Sequence, residues 1–167
     1  MYLRSVLFCV FACAASLLLS AGEENLLSEK AGGNRKQMQK LAEHLTYKTV
    51  DDYRIRELPL WIFRPKELKE DDLRPCVFFL HGGGWKGRIN AFVPQAYYLR
   101  RLGLVSVLVD WRQRQSPGIC LTDCRSAYRW TRKNGQTFNI NPDRIVVSSG
   151  SAGGHLATPL TTIEGSA

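Results

Sequence analysis

Short, nearly continuous apolar runs alternate along the chain with stretches whose apolar residues fall at helical spacing. Cys76-Val-Phe-Phe-Leu80, Leu104-Val-Ser-Val-Leu-Val109 and Ile145-Val-Val-Ser148 are runs of strand length. Such runs fit strands buried on both faces of a sheet. Phe92, Ala96, Leu99 and Gly103 predict a helix over Asn90–Leu102, capped by Asn90, with Pro94 tolerable in its first turn. A second helix is expected over Thr122–Asn134, with Thr122 as cap and Asp123 facing the positive end of the helix dipole. Gly135 would close it. Asn141-Pro-Asp-Arg144 reads as a turn into the last strand. Upstream, Leu45–Val50 reads as an edge strand, and Leu58–Phe63 as another because Pro59 cannot donate to a ladder. Between them and the first buried run lies a charged loop, Lys66–Arg74. Strands alternating with helices predict an α/β fold, a mostly parallel sheet covered by helices on both faces.

The amino end follows a different pattern. Arg4 precedes an apolar run from Ser5 to Leu19, and Ser20-Ala-Gly22 supplies small residues before Glu23-Glu24. This is the pattern of a secretory signal peptide cleaved near Ala21 or Gly22, and the run is shorter than the roughly 20 residues a transmembrane helix needs. The expected organisation is therefore a signal peptide over 1–22, a polar leader over 23–44 and the folded domain over 45–167. The mature chain would be exported, to a periplasm or outside the cell, with no membrane span.

Composition changes this picture little. The 167 residues suffice for one domain with a core, and 44% hydrophobic and 23% charged residues are ordinary for a soluble protein. The net charge of +8 becomes +7 once Arg4 leaves with the signal. No basic-aromatic cluster accompanies it, so no nucleic-acid partner is expected. Cys76, Cys120 and Cys124 remain after cleavage. Cys76 should be buried, and a local Cys120–Cys124 disulfide is conceivable in an oxidising compartment. Their spacing fits no metal signature with a neighbouring histidine, so no metal and no cofactor is expected.

Two glycine-rich stretches carry candidate chemistry. In Ser149-Gly-Ser-Ala-Gly-Gly154, Ser151 sits between a strand and a helix-compatible stretch. A strained strand-to-helix turn that presents a serine hydroxyl needs nearly side-chain-free neighbours, and its usual pattern is G-x-S-x-G. Gly153 is the second glycine of that pattern, while Ser149 stands where the first would be. His81-Gly-Gly-Gly-Trp85 directly follows the first buried strand. Its glycines leave backbone amides open to a negative oxygen, as an acyl-transfer transition state requires. A rival reading takes Gly82-x-Gly84-x-x-Gly87 as a dinucleotide fingerprint, with Asp110 as the ribose-binding acid. That reading leaves the serine turn unexplained and puts Trp85 where backbone should meet pyrophosphate.

Five blocks, taken in order, resemble one family: His81–Trp85, Asp110-Trp-Arg112, Asp123–Trp130, Asn141–Ile145 and Gly150–Ala157. They are similar to the α/β-hydrolase superfamily, in its hormone-sensitive-lipase-like and acetyl- or feruloyl-esterase-like branches, over about Tyr47 to Glu164. The resemblance implies an α/β-hydrolase fold and a carboxylic ester hydrolase acting on a small ester or an acylated carbohydrate. It implies Ser151 as nucleophile and the amides of Gly83, Gly84 and Ala152 as the oxyanion hole. His81, Gly82 and Trp85 would support the loop, and Asp110 and Asp123 would be structural acids.

The family places its acid and histidine after the serine. Beyond Ser151 the chain offers only His155 and Glu164; His155 is expected to point away from the turn as a packing residue, and His44 lies outside every block. The sequence thus reads as the amino-terminal half of a hydrolase, ending after the nucleophile turn and inactive by itself. Two classes of function follow: a serine esterase or lipase-like enzyme lacking its base as given, or a non-catalytic, vestigial binding module.

Overall fold

Two of the three apolar runs, Cys76–Leu80 and Val105–Val109, lie inside one sheet. The third, Ile145–Ser148, lies at its edge among the described residues with Val146 exposed, so it is not buried on both faces as the sequence predicted. The computed structural model describes residues 41–164 except Tyr53 and Arg88. The expected signal peptide and nearly all of the polar leader lie outside the described residues. The elements, in order, are β1 (Glu43–Asp51), β2 (Ile55–Phe63), β3 (Arg74–Leu80), a 3-10 turn (Ile89–Phe92), α1 (Val93–Arg101), β4 (Val105–Val109) and α2 (Pro117–Lys133). A second 3-10 turn (Gly135–Phe138), β5 (Ile140–Ser149) and α3 (Ala152–Glu164) follow.

The strand order is β1-β2-β4-β3-β5. β3 runs parallel to both β4 and β5, as the apolar runs predicted, and β1 and β2 add an antiparallel pair. From β3 the chain crosses to β4 on one side, then back past β3 to β5 on the other. Right-handed crossovers in opposite directions put α1 and α2 on opposite faces. The packing follows suit: Phe79, Leu108, Trp61 and Phe63 bury with Val93 and Ala96 of α1. Cys76, Phe78, Leu80, Val105, Val107 and Val109 bury with Cys120, Cys124 and Ala127 of α2 and with Leu156 and Leu160 of α3. Reversal of strand order opens a crevice at the carboxyl ends of the strands, where α/β sheets place their sites. The loop after β3 and the turn after β5 both emerge there.

Several local expectations are corrected. β2 is not an edge; it lies between β1 and β4. Pro59 is tolerated because it faces the irregularity between Thr46 and Lys48 in β1, and the β2–β4 ladder starts only at Leu60. Its carbonyl still accepts from the Asp110 amide at 3.1 Å. β1 begins at Glu43, inside the expected leader. Asn90 does not cap α1: the helix starts at Val93 after Phe92, with Pro94 in its first turn. α2 starts five residues before Thr122, because Ser116 accepts from the Ile119 amide and Pro117 pre-sets the first helical residue. Thr122 is therefore inside the helix, donating its hydroxyl proton to the Gly118 carbonyl at 2.9 Å. Asp123 is correspondingly away from the helix end.

Gly135 opens a 3-10 turn, and a Cβ there would lie 2.9 Å from the Ile140 carbonyl oxygen. Close approach explains that glycine; the left-handed residue is Asn139, at φ 58°. Asn141–Arg144 falls within the bounds of β5, but as the stretch where its register against β3 shifts. The Asp143 amide donates to Asn141 Oδ1 at 2.9 Å, the turn chemistry the sequence suggested. Cys76, Cys120 and Cys124 are buried free thiols, so no Cys120–Cys124 disulfide is present. Burial raises the pKa of all three. No helix among the described residues is long and apolar enough to cross a membrane.

Candidate functional site

Ser151 has φ 51°, in the left-handed region that residues with a Cβ rarely occupy, and it is exposed. The turn passes directly into α3: the Gly153 amide donates to the Gly150 carbonyl at 2.9 Å and the Gly154 amide to that of Ser151 at 2.8 Å. Ala152 is the first residue of the helix and is buried. A Cβ on Gly82 would lie 2.5 Å from the Gly150 oxygen and 3.1 Å from Ser151 Cβ. One on Gly153 would lie 2.2 Å from the Leu80 oxygen. The two glycine stretches are therefore pressed against each other, with no room for side chains between them. Ser149, at the first glycine position of the pattern, is accommodated: its Oγ lies 3.9 Å from where a Gly154 Cβ would be.

The loop after β3 turns through three successive left-handed residues, Gly83 (φ 96°), Gly84 (φ 59°) and Trp85 (φ 64°). Gly83 and Gly84 are exposed. His81, at the root of the loop, is buried and stacks on Trp111, ring centroids 4.7 Å apart. Its Nδ1 lies 3.0 Å from the Gly82 carbonyl and donates to it. Its Nε2 is 3.4 Å from Asp110 Oδ1 and has no hydrogen-bond partner among the described residues. Trp85 is half-buried, edge-on to Trp111, and its ring centroid is 6.4 Å from that of His155. The dinucleotide alternative fails on this geometry. Gly87 packs back on the loop, where a Cβ would be 1.6 Å from the Gly82 oxygen, and α1 begins only at Val93.

Asp110 and Asp123 serve the scaffold. Asp110 accepts from the Trp111 amide through Oδ1 at 3.0 Å, and its carbonyl accepts the Tyr47 hydroxyl at 2.8 Å. The fully buried Asp123 carboxylate takes Arg112 Nε at 2.8 Å, Nη2 at 2.9 Å and the Arg112 amide at 3.1 Å, plus Lys48 Nζ at 2.8 Å. Burial works against its charge, but these bonds from Arg112 and Lys48 outweigh burial and hold its pKa below the usual carboxylate value. Arg112 also reaches Asp52 at 2.6 Å. This network joins β1 to the interior of α2.

The histidines divide. His44 lies in β1, its ring tilted against Trp61 with centroids 4.4 Å apart. Four strand spacings separate β1 from β5, roughly 19 Å. His155 does not point away from the turn or pack inside. It is exposed, with Nδ1 3.4 Å from the Ser151 carbonyl oxygen, as helix side chains lean toward their amino end. Among the described residues no side chain hydrogen-bonds the Ser151 hydroxyl. A cavity of about 520 Å³ bordered by Glu43, Arg64, Lys66 and Arg100 contains none of the candidate residues. Sequence reading missed Gln113 and Arg114 as loop supports, and Tyr47 as the donor to the Asp110 carbonyl. The Gln113 side-chain amide donates to the Gly87 carbonyl at 2.6 Å, and the Arg114 amide to that of Trp85 at 3.1 Å. Nothing in their local pattern signals those contacts.

A mostly parallel sheet covered on both faces, with a strained strand-to-helix serine turn beside a glycine loop, has the architecture of an α/β-hydrolase. The BD-FAE family profile matches residues 60–166, and the chain belongs to that family. It is 34% identical over 108 residues to an AB hydrolase superfamily protein of Schizosaccharomyces pombe, covering 62% of this chain and 32% of that protein. To esterase LipQ of Mycobacterium tuberculosis it is 34% identical over 108 residues, covering 61% of this chain and 25% of the esterase. Thermogutta terrifontis esterase 2, solved as its tabun adduct, superposes with a TM-score of 0.64 at 38% identity, over 70% of this chain and 45% of that one. The chain thus spans less than half the length of these relatives.

Proposed function

We propose that this chain carries the nucleophile and oxyanion elements of a carboxylic ester hydrolase. The observation that supports it is the left-handed Ser151 wedged against the glycine loop at Gly82. The Ser151 hydroxyl oxygen attacks the ester carbonyl, its proton passing to a base. The carbonyl oxygen becomes an oxyanion that the amides of Gly83, Gly84 and Ala152 stabilise. The protonated alcohol leaves, and water releases the acid from the acyl-serine. The substrate is a small ester or an acylated carbohydrate. The base and its acid come from polypeptide outside residues 41–164, because no described side chain engages the Ser151 hydroxyl.

A Ser151 hydroxyl that no described side chain engages favours a second reading, a non-catalytic module that keeps the fold without the chemistry. Hydrolysis of p-nitrophenyl acetate separates the two. The 167-residue chain alone should show little turnover, since general-base catalysis contributes about 10²–10⁴-fold. Joined to a carboxyl-terminal segment bearing the acid and histidine of a related esterase, it should gain activity that Ser151→Ala abolishes. A joined protein that binds no ester and turns none over supports the non-catalytic module.

A further inference from the structure

We propose that Gln113 is the positioning residue of the glycine loop. Its side-chain amide fixes Gly87, and through Gly87 it sets the backbone amides of Gly83 and Gly84 toward Ser151. This inference rests on the ester-hydrolase reading for its catalytic meaning, and on geometry for the positioning itself.

The loop cannot hold its shape by local forces. Gly83, Gly84 and Trp85 occupy left-handed conformations in succession, and Trp85 carries a Cβ that disfavours it. Within the loop one backbone bond closes the turn, from the Lys86 amide to the Gly83 carbonyl at 3.0 Å. At its root His81 Nδ1 donates to the Gly82 carbonyl at 3.0 Å, and further restraint comes from the segment after β4. There Arg114, itself left-handed at φ 59°, donates its amide to the Trp85 carbonyl at 3.1 Å. Gln113 Nε2 donates to the Gly87 carbonyl at 2.6 Å.

Gly87 is the point where that pull acts on the site. A Cβ there would stand 1.6 Å from the Gly82 oxygen and 2.7 Å from His81 Nδ1, and one on Gly83 would stand 2.5 Å from Gly87 Cα. Gly87 thus lies against both residues that precede the proposed oxyanion donors. Holding its carbonyl holds the return limb of the loop against the outgoing one. Gln113 is half-buried and supplies an amide donor at a reach that a shorter side chain does not have. Trp111, two residues earlier, carries His81 and Trp85 on its ring, so one short segment supports the loop at its root, crown and return.

The test uses the full chain, labelled with nitrogen-15. Backbone exchange of the Lys86 and Arg114 amides is followed in wild type, Gln113→Met, Gln113→Glu and Gln113→Lys, with Phe78 and Val107 as sheet references. Methionine removes the donor at similar length, glutamate sets a carboxylate against a carbonyl, and lysine restores a donor. Lys86 exchange should rise about tenfold in the Met and Glu variants, stay within about twofold in Lys, and leave the references unmoved. Unchanged Lys86 exchange in Gln113→Met, no rescue by lysine, or equal acceleration at Phe78 and Val107 would each overturn the positioning role. Titration with propionate, a short carboxylate probe, reads the second half. Gly83 and Gly84 amide shifts should respond in wild type and require about tenfold more propionate in Gln113→Met. Exchange as expected with no propionate response in wild type leaves Gln113 holding the loop and removes the oxyanion reading.

Discussion

Gly153 meets the carbonyl oxygen of Leu80 so closely that a Cβ on it would stand 2.2 Å away. The first turn of α3 therefore rests directly on the end of β3, and that contact sets how near the serine turn comes to the loop beginning at His81. Gly153→Ala would force backbone apart, since the neighbouring atom belongs to a strand and cannot rotate away. The expected loss is about 1–3 kcal/mol in urea unfolding. An alanine variant as stable as wild type would show that the helix can slide along β3 at little cost.

Gly118 supplies the contrast. It lies in the first turn of α2, has no left-handed φ, and a Cβ there meets nothing within 4 Å. Gly118→Ala should raise stability by about 0.5–1 kcal/mol, mostly by restricting the unfolded chain. A lower thermal midpoint for this variant would contradict the open space at that position.

The central strands were legible because burial on both faces leaves continuous apolar runs, as in Cys76–Leu80 and Val105–Val109. The two glycine stretches were legible as neighbours because both end adjacent parallel strands. Helix starts were less so. Ser116-Pro117 is a start signal, yet Thr122-Asp123 resembles one more strongly when the real partners of Asp123 are unknown. Those partners, Arg112 and Lys48, come from separate elements. Pro59 misled for the same reason: the irregularity that admits it belongs to β1, a different strand. The Gln113 and Arg114 contacts depend on where two loops meet, which no local pattern records.

Asp123 should make stability fall in acid. Its folded pKa is lowered, so the ion pairs with Arg112 and Lys48 contribute fully above the unfolded value of about 3.9. That contribution is lost as pH drops from about 4 through the lower folded value. Asp123→Asn removes the charge at all pH values and leaves Arg112 partly unpaired, costing about 3 kcal/mol at neutral pH. Urea midpoints measured from pH 3 to pH 7 should show a shallower acid slope in this variant than in wild type. Parallel slopes would assign the acid sensitivity to other carboxylates.

Export is tested at the amino end. With its native leader in a secreting host, the protein is expected outside the cytoplasm with a new terminus near Glu23, after the small residues Ala21 and Gly22. Amino-terminal sequencing decides it. Recovery of the intact Met1 terminus on exported protein would refute cleavage.

Ser151 links strain to the proposed chemistry. Its φ of 51° costs a residue with a Cβ roughly 1 kcal/mol, and glycine adopts that conformation without the penalty. Ser151→Ala keeps the Cβ and should leave stability near wild type. Ser151→Gly removes the Cβ that Gly82 approaches and relieves the strain, at the expense of a more flexible unfolded chain. The expected gain over Ser151→Ala is a few tenths to about 1 kcal/mol, read from urea unfolding of the two variants side by side. Both should be equally inactive once the chain is joined to a segment that supplies the base. A serine position that costs stability in exchange for an exposed hydroxyl fits the trade-off between activity and stability at catalytic turns. If Ser151→Gly is the less stable of the pair, the left-handed turn is not strained, and the serine is there for packing.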